Sequence, residues 1–118
     1  PFLFLILWGG FLNPISEEFL ARGLVVGLIV LIPKILNTNK IITYLFYIFA
    51  LLISSYTFTV GHQNFSQFQF IVRYSASMLY GVLYLVSNRN IKIPIIAHAS
   101  DNLFIIITTA IQKSIFPF

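Results

Sequence analysis

Two acidic residues, Glu17 and Glu18, stand side by side between the apolar runs Phe2 to Trp8 and Leu24 to Ile32. A carboxylate placed in hydrocarbon costs about 2.5–3.5 kcal/mol on insertion scales. Any fold of this chain must therefore turn both groups inward and supply them with partners. The composition makes hydrocarbon the expected solvent. Only 8% of the residues are charged, against about 25% in an ordinary soluble domain, too few to coat a water-facing surface. The seven Lys and Arg are scattered singly, with no basic stripe of the kind that tracks nucleic acid. The absence of cysteine excludes disulfides and thiolate catalysis.

The apolar runs and their interruptions predict an all-α polytopic transmembrane bundle. About four spanning helices and the end of a fifth form one domain over 1–118. The chain opens inside an apolar run, without Met, and reads as a segment of a longer protein. Pro1 to Leu12 is the tail of the fifth helix, broken at Asn13-Pro14, because proline disfavours helix in the residue before it. The next helix runs from Pro14 or Ile15 to Ile32 and ends at Pro33-Lys34. Asn37 to Lys40 is a polar turn. Ile41 to Val60 has no charge, and twenty residues at 1.5 Å rise span about 30 Å, the thickness of a hydrocarbon core. Gly61-His62-Gln63-Asn64 closes it. A helix over Phe68 to Val86, interrupted by Arg73, a turn at Ser87 to Asn90 and a last helix over Pro94 to Ile111 complete the bundle. Lys34, Lys40, Arg89 and Lys92 share one side by alternation, which the positive-inside rule assigns to the cytoplasm.

Seven polar groups resist a purely lipid-facing explanation: Glu17, Glu18, Arg22, His62, His98, Asp101 and Asn102. Glu18 and Arg22 are spaced i,i+4 with the acid first, the favourable order for an ion pair on one helix face. Phe58 and His62 have the same spacing, as do His98 and Asn102. Glu17 lies about 100° around the helix from Glu18, with no evident local partner, and is the candidate general base. A histidine from another helix can share a water with it. Asn102 and the ring N–H of His98 can donate to a developing oxyanion. Asp101 lies off the His98–Asn102 face and is expected to pair locally, with Lys92 or a lipid head group, rather than to react.

The motifs Glu17-Glu18-x-x-x-Arg22, Phe58-x-x-x-His62 and His98-x-x-x-Asn102, in order on successive apolar segments, resemble those of the CAAX protease and bacteriocin-processing (CPBP, or Abi) family of intramembrane endopeptidases. Type II CAAX prenyl endopeptidases are its eukaryotic relatives. The resemblance runs from Asn13 to about Phe104. It implies that Glu17 and His62 activate the attacking water and that His98 and Asn102 bind the oxyanion. Glu18 and Arg22, with Phe58, would shape the pocket. It also implies an integral, multi-pass membrane protein acting on a peptide or protein, either prenylated or a bacteriocin precursor. Arg73 departs from the pattern, which would carry a neutral residue there, and puts the start of its helix in question.

Other readings compete. A zinc peptidase would use Glu17, His62 and His98 as ligands, a known type of donor set, although the HExxH spacing is missing; the preferred mechanism requires no cofactor. A transporter component would use the glutamates as a proton or cation site. A bacteriocin self-immunity protein would act by contact alone. One tension remains within the preferred reading. With straight helices and flush ends, His62 and His98 would lie about 20 Å apart along the bundle. Either the stretch from Gly61 to Arg73 dips inward or the last two helices begin and end elsewhere.

Overall fold

The computed structural model describes residues 2–62 and 66–115, and among these every regular element is helical. A long N-terminal rod covers 2–29 and a short helix Ile32–Ile35 follows it. Three further helices span Lys40–Val60, Gln67–Val86 and Lys92–Ile115. The second and last of the four long segments are apolar and long enough to cross a bilayer. Gln63 and Asn64, expected in the turn after Val60, lie outside the described residues.

The expected break at Asn13-Pro14 does not occur. Asn13 is helical, with φ −64° and ψ −50°, and its N–H donates to the Trp8 carbonyl five residues back. That bond belongs to the wider π register, which the rod adopts over Ile6–Leu12. In an α register the proline ring would crowd the carbonyl four residues earlier. In the π register the carbonyl that Pro14 leaves without a donor is that of Gly9. Asn102, from the last helix, donates Nδ2 to this oxygen at 2.8 Å. A side chain thus replaces the missing backbone donor, and the two segments expected around Asn13 are one rod. A second π-helical stretch follows at Phe19–Val26, where Ser54 donates to the Ala21 carbonyl at 2.9 Å.

The rod also ends earlier than Ile32. Its last helical residue is Ile29, and Pro33 stands in the first turn of the short helix Ile32–Ile35, where its missing N–H costs nothing. The polar turns form where expected. Asn37 takes a left-handed φ of 49°, as do Asn88 at 56° and Arg89 at 62°. Asn39 caps the second helix by accepting from the Ile42 N–H at 3.0 Å. Ser66 and Gln69 cap each other's backbone reciprocally and start the third helix at Gln67. Arg73 therefore lies inside that helix, two turns from its start.

Polarity runs from inside to outside. The buried set includes Glu18, Arg22, Ser54, Ser55, Thr59, Ser77 and His98, whereas Ile35, Ile41 and Phe68 are more than 70% exposed. A water-soluble core reverses this distribution. The purely apolar core is small: Val26, Val30, Ala50 and Tyr84. Small residues let the backbones approach, as is usual between membrane helices. A β-carbon on Gly81 would lie 2.5 Å from Leu51 Cδ2, and one on Gly10 2.6 Å from Leu103 Cδ2.

The helix ends are not flush. Leu51 packs on Gly81, and Leu51 lies eleven residues from the helix start at Lys40, Gly81 only five from the helix end at Val86. The second helix therefore projects about 9 Å further at that end, at 1.5 Å per residue. The last helix starts from the raised level, which carries His98 toward the level of Phe58. His62 meets it from the other side by folding back onto its own helix, Nδ1 donating to the Phe58 carbonyl at 2.8 Å. Axial offset and this backward fold together close the expected gap between the histidines.

Substitution of Gly10 by Val should wedge the rod away from Leu103 and destabilise the bundle by about 1–3 kcal/mol, the usual range for overpacking. Gly9→Ala, whose β-carbon meets Ile106 Cδ1 at an ordinary 3.5 Å, should change little. Thermal unfolding of the two variants in the same detergent checks the difference.

Candidate functional site

The site begins with a buried ion pair. Arg22 Nε lies 3.2 Å from Glu18 Oε2, and both side chains are fully buried. Their i,i+4 spacing on the rod puts them on one face. Arg22 Nη2 then reaches across to the third helix and donates to the Ser77 carbonyl and to Ser77 Oγ, the latter at 2.6 Å. Two rings cover the guanidinium: Phe58 at 5.2 Å and Tyr80 at 5.7 Å from Cζ. Such cation–π contacts gain strength when the cation is desolvated.

Glu18 has a second partner. Its Oε1 lies 2.9 Å from His98 Nδ1. A carboxylate paired with a guanidinium can only accept, so Nδ1 carries the hydrogen and donates it. Nε2 of a neutral His98 is then the lone-pair nitrogen. The same logic applies to His62, whose Nδ1 must donate to the Phe58 carbonyl. Tyr80 stacks on His98 at 5.0 Å and 17° between planes, and Phe58 meets the same ring edge-on at 5.5 Å. His98 is thus fixed in orientation as well as in tautomer.

Both lone-pair nitrogens face Glu17. His62 Nε2 is 3.5 Å from Oε1 and His98 Nε2 is 3.4 Å from Oε2. The carboxylate has a local partner that the sequence reading missed: Asn13, one turn earlier, donates Nδ2 to Oε1 at 2.7 Å. Oε2 is buried and accepts no hydrogen bond among the described residues. Glu17 retains 21% side-chain exposure and His62 31%, whereas Glu18 has none. Of the two adjacent glutamates, Glu17 is therefore the one that a reactant can reach.

These groups line a cavity of about 550 Å3, together with Asn102, Arg73 and Asp101. A second cavity, of about 380 Å3, adjoins it through Glu17, Phe58 and His62 and continues along Leu20, Leu24 and Val25. Asp101 does not pair with Lys92. Tyr80, from the third helix, donates its hydroxyl to Asp101 Oδ2. Asn102 lines the cavity while giving one amide hydrogen to Gly9. The residues expected in one site, Glu17, His62, His98 and Asn102, are all brought to it, with Glu18, Arg22 and Phe58 beneath them.

Three contributors went unread in the sequence. Asn13 to Glu17 is an i,i+4 pair and was legible as a hydrogen bond. Ser77 and Tyr80 carried no signal, because nothing local distinguishes them from other residues of an apolar helix. The donor types of Glu17, His62 and His98 suit zinc. Both imidazole nitrogens lie against the Glu17 carboxylate oxygens, at 3.4 and 3.5 Å, and among the described residues no group of three is arranged as it stands to hold a metal ion.

A family model described as type II CAAX prenyl endopeptidase Rce1-like matches residues 1–104. The chain belongs to that family, a membrane-embedded peptidase family acting on peptide or protein substrates. Neither a curated protein nor a solved structure matches.

Arg22→Met should destabilise the protein by about 3–5 kcal/mol, because it strands Glu18 as an unpaired buried charge. Arg22→Lys should recover only part of the loss, since an ammonium cannot reproduce the planar fork that reaches both Glu18 and Ser77. Thermal unfolding of both variants in detergent measures this.

Proposed function

We propose that this member of the Rce1-like family is a multi-pass intramembrane endopeptidase in which Glu17 and His62 activate water against a peptide carbonyl. The observation that carries the reading is the convergence of two imidazole lone pairs, one from the last helix and one from the bend just past the second, on one reachable carboxylate of the rod. The nitrogen–oxygen separations of 3.4 and 3.5 Å exceed those of a charge-assisted hydrogen bond, about 2.7–2.9 Å. Three acceptors at that spacing suit a shared proton donor. Water supplies two hydrogens, one for Glu17 and one for an imidazole, and keeps a lone pair for the carbonyl carbon.

The reaction then needs few parts. Glu17 takes a proton as the water oxygen bonds to carbon, and the carbonyl electrons move to oxygen. Asn102 holds a second amide hydrogen on the nitrogen that serves Gly9, and that hydrogen is available to the oxyanion. His98 can add an N–H from Nε2 only when its ring carries both protons, because Nδ1 is committed to Glu18. Collapse of the intermediate breaks the carbon–nitrogen bond, and Glu17 returns its proton to the departing amine. Asn13 holds the carboxylate in place through the cycle. The apolar cavity along Leu20, Leu24 and Val25 suits a substrate segment or an attached hydrocarbon chain beside the scissile bond.

In reconstituted protein, Glu17→Gln should lower the turnover of an apolar peptide by about 10²–10⁴-fold, the range for loss of a general base, without lowering the unfolding temperature. Full activity of metal-depleted protein would separate this mechanism from a zinc one. Glu17-dependent ion flux without cleavage would instead support a transporter. A biological effect that survives Glu17→Gln would support a contact-only immunity protein.

A further inference from the structure

Arg73 is the one cationic side chain lining the cavity among the described residues, apart from the histidines, and the proposed reaction does not use it. It stands in the apolar third helix between the outward-facing Ile71 and Val72 and the buried Ser77, and it is half-buried. It lines the same cavity as Glu17, His62 and His98. The chain has only three acidic residues, and each is already engaged. Glu18 is held by Arg22 and His98, Glu17 by Asn13, and Asp101 by Tyr80. Among the described residues Arg73 makes no ion pair and no hydrogen bond, although Asp101 lines the same cavity.

We infer that Arg73 is a specificity-determining residue that binds a carboxylate of the substrate, fixing which peptides enter the cavity and in which direction they lie. The inference rests on the endopeptidase reading and names the substrate class for that site. A guanidinium offers a rigid fork of donors that matches a carboxylate in two parallel hydrogen bonds. Beside half-buried groups the effective dielectric is lower than in bulk water, which strengthens that match. The carboxylate has two sources, a free C-terminus or an acidic side chain. Cavity size favours a short segment: about 550 Å3 lies in the range of small-ligand pockets, about 300–1,000 Å3.

The test separates binding from cleavage. Three fluorescein-labelled apolar pentapeptides are titrated against Glu17→Gln protein in detergent, with and without Arg73→Gln. One ends in a free carboxylate, one in an amide, and one is the amide with a single internal glutamate. Arg73-containing protein should bind one or both anionic peptides at least about tenfold more tightly than the neutral amide, the scale of one charge-assisted bond. Arg73→Gln should abolish the preference and leave the neutral peptide's affinity unchanged, and Arg73→Lys should restore part of it. Which anionic peptide gains identifies the source. Equal binding of all three peptides, or a preference that survives Arg73→Gln, overturns the inference. Cleavage by the protein with Glu17 intact is scored separately, so a protein that selects carboxylates yet cuts nothing would sink the peptidase reading and not this one.

Discussion

The contact among the four long segments at the level of the site depends on the Glu18–Arg22 pair. Two fully buried opposite charges are costly to desolvate, and such pairs persist only where further hydrogen bonds satisfy their remaining donors and acceptors. Here such bonds join three helices through Arg22 Nη2 and Glu18 Oε1, while Arg22 Nη1 is buried without a hydrogen-bond partner among the described residues. Arg22 ties the rod to the third helix through Ser77, and Glu18 ties it to the last through His98. Phe58, from the second helix, roofs the guanidinium. The pair therefore sets the packing of the four long segments at one level. At that same level it fixes which nitrogen of His98 faces the cavity. In this chain the residues that hold the fold and those that face the cavity are neighbours on one turn, Glu18 pointing inward and Glu17 toward the opening.

What the sequence disclosed was local. The i,i+4 pairs Glu18–Arg22, Phe58–His62 and His98–Asn102 all lie on common faces, and the turns at Asn37, Asn88 and Arg89 form where the polar clusters stand. Asn39 and Ser66 cap the helices that follow them, a signal present in the residue types that the expected start of the third helix at Phe68 leaves unused. What it hid was relational. Pro14 reads as a break, because a chain considered alone cannot know that a wider helical register precedes the proline or that Asn102 will supply the absent donor. Flush helix ends were the simplest assumption, and only the Leu51–Gly81 contact, between residues thirty apart, reveals the offset that brings His98 within reach of Glu17. Ser77 and Tyr80 escaped notice for a related reason: they are ordinary helix residues until Arg22, His98 and Asp101 arrive from elsewhere.

Asn102 illustrates how the chain economises on polar groups. Its amide nitrogen completes the rod's backbone at Gly9 and borders the cavity as well. A backbone imperfection caused by Pro14 is thus coupled to the orientation of a candidate oxyanion donor. Tyr80 is used in a similar double way, its ring flat on His98 and its hydroxyl on Asp101. With so few ionisable residues, each is held by side chains that serve a neighbour too. Substitutions at these positions are accordingly expected to be strongly non-additive.

The axial offset between the second helix and the last two has a consequence for how the protein sits. Lys34 and Lys40 belong to the projecting end, whereas Arg89 and Lys92 belong to the raised one, and all four are exposed. A head-group layer attracts such cations by about 1 kcal/mol each near an anionic surface. A plane that meets both pairs must cut the bundle obliquely. In the multi-pass arrangement proposed above, the helices would then lean in the bilayer, and the mouth of the cavity would open toward one side of the molecule instead of along the membrane normal.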